Sequence, residues 1–456
     1  MSTFTTVNPA TGEELATFAM MDDDQIEGIV HDADRQYRTW SAQPIADRVA
    51  MLRKIANVYR ERIHDLARDV SLEMGKPLAA AVGELNFVVA IYEYYAENAE
   101  AMLQDESIPV EGGGTAAIRT APIGTILGIM PWNFPHYQVA RLVAPNLALG
   151  NTVILKHATV CAQTAVNIQQ IMDDAGAPEG LYTNIFASHE QTEKLIFDDR
   201  IKGVSLTGSE RAGERIGALA GQAIKPVVLE LGGSDPFIVT ADADIELAAR
   251  DAVFARCNNA GQQCTGGKRF IIDETVYDEF MERFIQGLKE VVVGDPLAAD
   301  TVMGPLSSQA ALKDLQAQVD TALEDGATTL LGGKPVEGEG YYYPPTVLTG
   351  VERDNRAYYQ EFFGPVAMVF KVRSFDEAIE LANDSPFGLS SAIYTQDDAK
   401  VAQAYDELET GMVYINTPSK SAAELPFGGV KRSGVGRELG TLGIEEFANK
   451  KLLRCP

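Results

Sequence analysis

The sequence predicts an α/β protein built around mainly parallel sheets. Three observations carry that reading. Short apolar runs recur from Thr125 onward, amphipathic stretches of helical period lie between them, and polar or glycine residues follow the runs directly. Strands alternating with helices in this way imply βαβ units, whose ligands bind beyond the carboxyl ends of the strands. The 456 residues exceed what one core serves, so two or three domains of about 100 to 200 residues each are expected. A hydrophobic share of 46% with 23% charged residues fits a packed fold.

The elements follow in order. Up to about residue 100 the pattern is helical: "DDDQIEGIVHDADRQYRTW" opens with acids suited to a helix N-terminus, and "IADRVAMLRKIANVYRERIHDLARDVSLEMG" is amphipathic. "DESIPVEGGGTAAIRTAPIG" then breaks the period with glycine and proline among β-prone residues, which predicts an extended arm or hairpin. Strands are predicted at 125–130, 152–156, 182–186, 203–207 and 227–231, with helices near 137–149, 160–175, 190–199 and 210–222. A second α/β block begins at 235–239 and carries further strands at 269–273, 328–333, 366–372 and 412–416. Two α/β domains meeting over a cleft is the simplest assembly.

Charge and cysteine usage narrow the function. A formal net charge of -27 opposes binding to nucleic acid or an anionic membrane, which calls for a basic footprint. The N-terminus has no basic region followed by an apolar run, and no apolar stretch is long enough to span a bilayer, so a cytoplasmic protein is expected. Cys161, Cys257, Cys264 and Cys455 are scattered without metal-ligand spacing or a disulfide framework, and no metal site is predicted.

Candidate chemistry sits just after the apolar runs. Gly208 and Gly213 stand where a strand turns into a helix, a place where backbone N–H groups hold pyrophosphate, and Lys156 ends a neighbouring strand within reach of a ribose or phosphate. Glu230 interrupts an apolar run; a desolvated carboxylate there is pushed toward the pKa of a general base. Cys264, in "NNAGQQCTGGKRF", lies in a loop too polar for a core thiol, and the nearby N–H groups with Lys268 and Arg269 favour the thiolate. Cys257 reads as a buried helix residue. Asn133 supplies a side-chain donor for an oxyanion. A cofactor-free cysteine hydrolase is the alternative from a different class; no histidine lies near Cys264 in sequence, so it would need His136 or another brought in by folding.

The motifs "MPWNFP", "LTGS", "LELGGSDP", "GQQC", "EFFGPV", "NDSPFGLSSAIYT" and "PFGGVKRSGVGRELG" resemble, in order and along nearly the whole chain, those of the aldehyde dehydrogenase superfamily. Within it, "LKHA" and "GGSDPFIV" are most similar to succinate-semialdehyde dehydrogenases. The resemblance implies a Rossmann-like parallel-sheet cofactor domain at 1–105 and 122–231, an α/β catalytic domain at 232–425, and a small β bridging and oligomerisation element at 106–121 and 426–456. It implies oxidation of an aldehyde to its acid through a thioester on Cys264, with Glu230 as general base and Asn133 in the oxyanion hole. Trp132, Lys156, Ser209, Glu361 and Phe363 would hold the cofactor, together with the Gly208 and Gly213 turn. Where NAD-preferring relatives carry a glutamate three residues beyond the lysine, this chain has Thr159, so NADP is expected to be preferred and NAD to remain possible. Arg141 and Ser421 would bind a substrate carboxylate, giving succinate semialdehyde as substrate. A second carboxylate-binding arginine of many relatives is Asn258 here, which leaves a broader aliphatic or semialdehyde range open. A partner cysteine two residues after the nucleophile is replaced by Gly266. The arm implies a homodimer or homotetramer.

Overall fold

The computed structural model describes residues 2–456. Two large sheets dominate it. The first runs, across the sheet, Gly434–Val435, Val227–Glu230, Ile201–Thr207, Thr125–Met130, Thr152–His157 and Tyr182–Ile185. All its neighbours are parallel except Gly434–Val435, which pairs antiparallel with Leu229 and Glu230. Numbering the five parallel strands in chain order gives 5-4-1-2-3, a doubly wound order in which connections leave in opposite directions from the boundary between Thr125–Met130 and Ile201–Thr207. A crevice opens beyond the carboxyl ends of those two strands, where Trp132 and Asn133 follow one and Gly208 and Ser209 the other.

Near-continuous apolar runs such as "TILGIM" and "TVILK" suit strands covered on both faces, and apolar cores do lie on both sides of this sheet. The long helices Ile45–Met74 and Leu78–Met102 pack on one side, and Asp23–Trp40 and Glu210–Gln222 on the other. The first two strands, Thr3–Val7 and Glu14–Ala19, form a hairpin that the sequence reading did not foresee.

The second sheet orders Thr328–Leu331, Thr346–Thr349, Val366–Val372, Gly267–Asp273, Asp235–Val239, Ser390–Tyr394 and Met412–Ile415, all parallel after its first, antiparallel pair. It too is covered on both faces. Its strands Asp235–Val239 and Gly267–Asp273 begin beside the crevice of the first sheet. The loops that precede them, 231–234 and 258–266, therefore face the carboxyl ends of the first sheet.

A third sheet joins Ala448–Cys455, Thr115–Pro122 and Glu106–Ile108, with eight paired positions between the first two. The bridging segment was expected to comprise 106–121 and 426–456 together. Only 448–455 of the later part lies in this sheet. Residues 430–435 instead pair with Phe387–Gly388, which lead into the second large sheet, and with Leu229–Glu230 of the first, so they fasten one large sheet's region to the other's.

Candidate active site

The Cys264 loop is built on an unfavourable backbone. After the helix Ile245–Cys257, Asn259, Ala260 and Gly261 follow one another at φ 52°, 53° and 70°. Left-handed conformations cost roughly 1–2 kcal/mol at a non-glycine residue. Asn259 meets that cost with a side-chain amide that donates to the Asn133 carbonyl at 2.9 Å. The buried Arg256 guanidinium donates to the carbonyls of Gly261 at 2.7 Å and Gly267 at 3.0 Å, clamping both ends of the loop. A side chain at position 261 would collide with the Gly364 backbone, so glycine is required there on two counts.

So held, Cys264 stands at the neck between two cavities. One, of about 700 Å³, is lined by Tyr137, Arg141, Asn258, Lys420, Ser421 and Phe427 among others. The other, of about 270 Å³, is lined by Trp132, Asn133, Ser209, Gly232, Glu361 and Phe363. Cys264 and Gln138 border both. No histidine lines either cavity: His136 and His157 are fully buried beneath the helix that carries Arg141, and burial keeps them down at about 3 and about 4. That arrangement removes the base a cysteine–histidine hydrolase would use.

Asn133 is oriented from both ends. Its Oδ1 accepts from Gln138 Nε2 at 3.1 Å, which fixes the amide's direction, and its Nδ2 donates one proton to the Gln262 carbonyl at 3.0 Å. The second Nδ2 proton is left to a group in the small cavity beside Cys264.

The sequence paired the thiol with two cations, but strand alternation separates them. Lys268 and Arg269 are consecutive on Gly267–Asp273, so their side chains leave opposite faces. Arg269 turns away, donating to the carbonyls of Asp384 and Leu381 and stacking over Tyr358. Lys268 alone faces the loop. Burial pushes the Cys264 thiol up to about 12, against the opposing pull of Lys268 and Arg141. Desolvation thus opposes the thiolate that the neighbouring cations favour.

Glu230 ends its strand fully buried, and burial raises its carboxyl well above the usual range, with Arg141 opposing. Neither oxygen has a hydrogen-bond partner. The carboxyl borders neither cavity and lies against the Gly428 backbone.

Arg141 is fully buried in a helix whose first backbone amides, of His136 and Tyr137, donate to the Glu84 carboxylate. Its guanidinium pairs with Glu438, donates to Thr207 Oγ1 at 3.1 Å and to the Tyr137 hydroxyl at 3.3 Å, and lies over the Phe427 ring. The Tyr137 hydroxyl in turn donates to Ser421 Oγ at 3.0 Å. The two residues expected to bind a carboxylate are thus joined through a tyrosine, and the arginine already has a counter-ion. Sequence reasoning missed Tyr137 and Glu438. Asn258 donates to the Gln263 side chain and adds no charge to the wall.

On the cofactor side, Trp132 and Phe363 stand edge to face at 5.8 Å between ring centres. Ser209 caps the helix Glu210–Gln222 by accepting from the Ala212 amide. Gly213 does not face the crevice as expected: its amide donates to the Ser209 carbonyl within the helix, and its missing side chain makes room for Leu231. Gly208 stays at the turn, its own amide bound to the Glu230 carbonyl. Lys156 lies one residue before the end of its strand, half-buried, and Thr159 is exposed in the turn Thr159–Cys161 that follows. Glu361 Oε1 accepts from the Gly233 amide at 3.1 Å, and a side chain at Gly232 would displace its other oxygen.

A doubly wound sheet of dinucleotide-binding order, opening onto a thiol carried by a second α/β domain, is the architecture of a dehydrogenase that works through cysteine. Comparison with known proteins takes this to a family: the aldehyde dehydrogenase family model matches residues 1–453, and the chain belongs to that family. A relative named succinate-semialdehyde dehydrogenase (NADP(+)) from Deinococcus radiodurans is 48% identical over 452 residues, covering 99% of this chain and 94% of its own. A Mycobacterium tuberculosis protein named succinate-semialdehyde dehydrogenase (NADP(+)) 1 is 42% identical over 448 residues, covering 98% of each. Among solved structures, succinic semialdehyde dehydrogenase from Streptococcus pyogenes with NADP+ superposes with a TM-score of 0.97 at 39% identity, covering 99% of this chain and 100% of that one.

Proposed function

We propose that the protein oxidises succinate semialdehyde to succinate with NADP, accepting NAD less well. The observation that carries this is the convergence on Cys264 of two cavities, one ending in the Arg141, Tyr137 and Ser421 chain and the other walled by Trp132, Glu361 and Phe363. Names of relatives at 42% to 48% identity support the substrate and the cofactor.

Cys264 is the nucleophile, and the aldehyde oxygen is received by the free Nδ2 proton of Asn133 and the Cys264 backbone amide. A preorganised donor of this kind is worth about 3 kcal/mol. The thiol proton passes to the Glu230 carboxylate, whose proton affinity burial raises, once that side chain is turned toward the neck. The residues present fit a dinucleotide: Lys156 and the uncharged Thr159 would accommodate a 2′-phosphate, Ser209 and the helix it caps would receive the pyrophosphate, and Glu361 would hold the nicotinamide ribose. When bound, it supplies the acceptor for the hydride that leaves the thiohemiacetal carbon, and a thioester on Cys264 Sγ remains. Once Glu230 has released the thiol proton to solvent, its carboxylate deprotonates the water that attacks the thioester carbon, and the carbon–sulfur bond breaks to return Cys264 Sγ and free the acid. The substrate carboxylate lies against Arg141 and Ser421, sharing the guanidinium with Glu438.

Around this site the domains are taken as 1–105 with 122–231 for the cofactor and 232–425 for catalysis. The exposed strand Ala448–Cys455 and its sheet serve a homodimer or homotetramer in the cytoplasm. The test is a panel of aldehydes with NADP and NAD, followed at 340 nm. Succinate semialdehyde with NADP is expected to give the highest kcat/KM; an absence of reduced cofactor with every aldehyde refutes the proposal, and a clear NAD preference refutes the role of Thr159.

A further inference from the structure

Lys268 has no part in the reaction as set out above, yet it is one of the most deeply buried charged groups in the protein. Its side chain is 0% exposed. The ammonium has three protons and three acceptors: the Gln263 carbonyl at 2.8 Å, the Cys264 carbonyl at 2.7 Å and Glu361 Oε1 at 2.9 Å. Two of these belong to the loop that carries the thiol, and the third to the acid that faces the nicotinamide ribose. A charge buried to this degree is costly unless every proton is matched, and here every one is.

The surroundings leave no slack on either side of the lysine. A side chain at Gly233 would press against the Cys264 carbonyl at 2.7 Å, so the loop and the 231–234 segment are in contact. Glu361 Oε1 is shared between Lys268 and the Gly233 amide, which leaves Oε2 directed at the space beside Gly232 on the cofactor wall. Asp235, bonded to Ser390, is the other carboxylate in this cluster; burial pushes it up to about 7, against the opposing pull of Lys268. One ammonium thus holds the nucleophile's backbone and the ribose acid at a fixed separation.

We infer that Lys268 is a positioning residue that couples cofactor binding to the placement of Cys264, by anchoring Glu361 and the Gln263–Cys264 backbone to a single buried cation. The inference rests on the roles proposed above for Cys264 and Glu361 and adds a third residue through which they communicate. Neither loop alone needs a charge at this point, since a neutral donor would satisfy two carbonyls; the cation is required by Glu361. Sequence reasoning placed Lys268 near the thiol but gave it no partner on the cofactor side.

The test uses binding and alkylation, neither of which requires turnover. NADP affinity is read from the fluorescence of Trp132 and Trp40, the two tryptophans of the chain, in wild type, Lys268→Met, Lys268→Arg, Glu361→Gln and the K268M/E361Q double variant. Cys264 accessibility is read from its rate of alkylation by iodoacetamide with and without NADP, and folding from thermal melts. K268M and E361Q are each expected to weaken NADP binding about tenfold, with the double variant no weaker than either single one, because both remove the same contact. K268M is expected to abolish the change in alkylation rate that NADP produces in wild type, and K268R to restore it in part. If E361Q binds NADP as wild type does, the role of Glu361 and this inference fall together. If E361Q weakens binding while K268M leaves it unchanged, or if the two effects multiply to about a hundredfold, the inference alone is overturned. Failure of both K268M and K268R to fold also overturns it, since the lysine would then be structural.

Discussion

Replacing Arg141 by methionine separates its two duties. The substitution keeps an unbranched stem but removes the guanidinium that lies over Phe427, so Glu438 loses its ion-pair partner while 6% exposed. Breaking a buried pair from one side costs about 3–5 kcal/mol. Burial already raises the Glu438 carboxyl, so taking up a proton offsets part of that loss. The same substitution withdraws a charge-assisted hydrogen bond from a substrate carboxylate, worth about 1.5–3 kcal/mol, or about a 10- to 150-fold loss in kcat/KM. The second variant, R141M/E438Q, restores neutrality in the buried site but gives the substrate no cation. The assays are thermal melts and kcat/KM for succinate semialdehyde and butanal. R141M is expected to lose both stability and selectivity, and the double variant to regain stability while selectivity stays low. A ratio of the two substrates within threefold of wild type in both variants refutes carboxylate recognition by Arg141 and makes it a structural partner of Glu438.

Three further outcomes follow from the geometry. Asn133→Ala removes the side-chain donor held ready beside Cys264, and the pre-steady-state burst of reduced cofactor at 340 nm is expected to slow about 10²- to 10³-fold; a loss below tenfold in a protein with native melting refutes its oxyanion role. Thr159→Glu places a carboxylate three residues after Lys156 on an exposed turn, and the ratio of kcat/KM for NADP over NAD is expected to fall at least tenfold, with an unchanged ratio contradicting the placement of the 2′-phosphate. His136 and His157 are neutral in the fold, with pKa values depressed to about 3 and about 4 from an unfolded value of 6.5. A depressed folded pKa gives stability that is full above 6.5 and lost as the pH falls, so melts from pH 7 to pH 5 should show a loss of about 2 kcal/mol per histidine at pH 5. His157→Gln should flatten that slope, and an unaltered slope tells against the assignment.

Much of the fold was legible because strands buried on both faces write themselves as apolar runs. The predicted strands at 125–130, 235–239 and 366–372 coincide with the observed ones, and the helices 137–149 and 210–222 do likewise. Ser390–Tyr394 escaped notice because it begins with two serines. Those serines are buried, one bonded to Asp235 and the other to Thr410, so the strand's polarity is matched by partners far away in sequence. Thr3–Val7 and Glu14–Ala19 alternate polar and apolar residues weakly, and the hairpin they form stands apart from the large sheets.

The candidate site divides along the same line. Cys264, Glu230 and Asn133 each sit at the end of an element the sequence marks, so their motifs could be read locally. The partners that set their electrostatics could not. Glu438 lies 297 residues after Arg141 in a stretch that reads as an exposed turn, and only folding brings it to Ser205 and the guanidinium. Alternation along Gly267–Asp273 was sufficient to tell Lys268 from Arg269, and period two is the signal that would have found the buried cation.

The pairing of 430–435 with the regions of both large sheets has a consequence for the order in which the protein becomes an enzyme. The loop that carries the thiol and the strand after it have been synthesised once Asp273 is joined, and both sheets have all their parallel strands by Ile415. Glu230 still lacks its neighbouring strand at that moment, and Arg141 still lacks its counter-ion. A nascent chain stopped short of Gly434 therefore has a cysteine but no assembled centre around it. Synthesis itself acts as a safety catch, released only when the chain's late residues close over those made first.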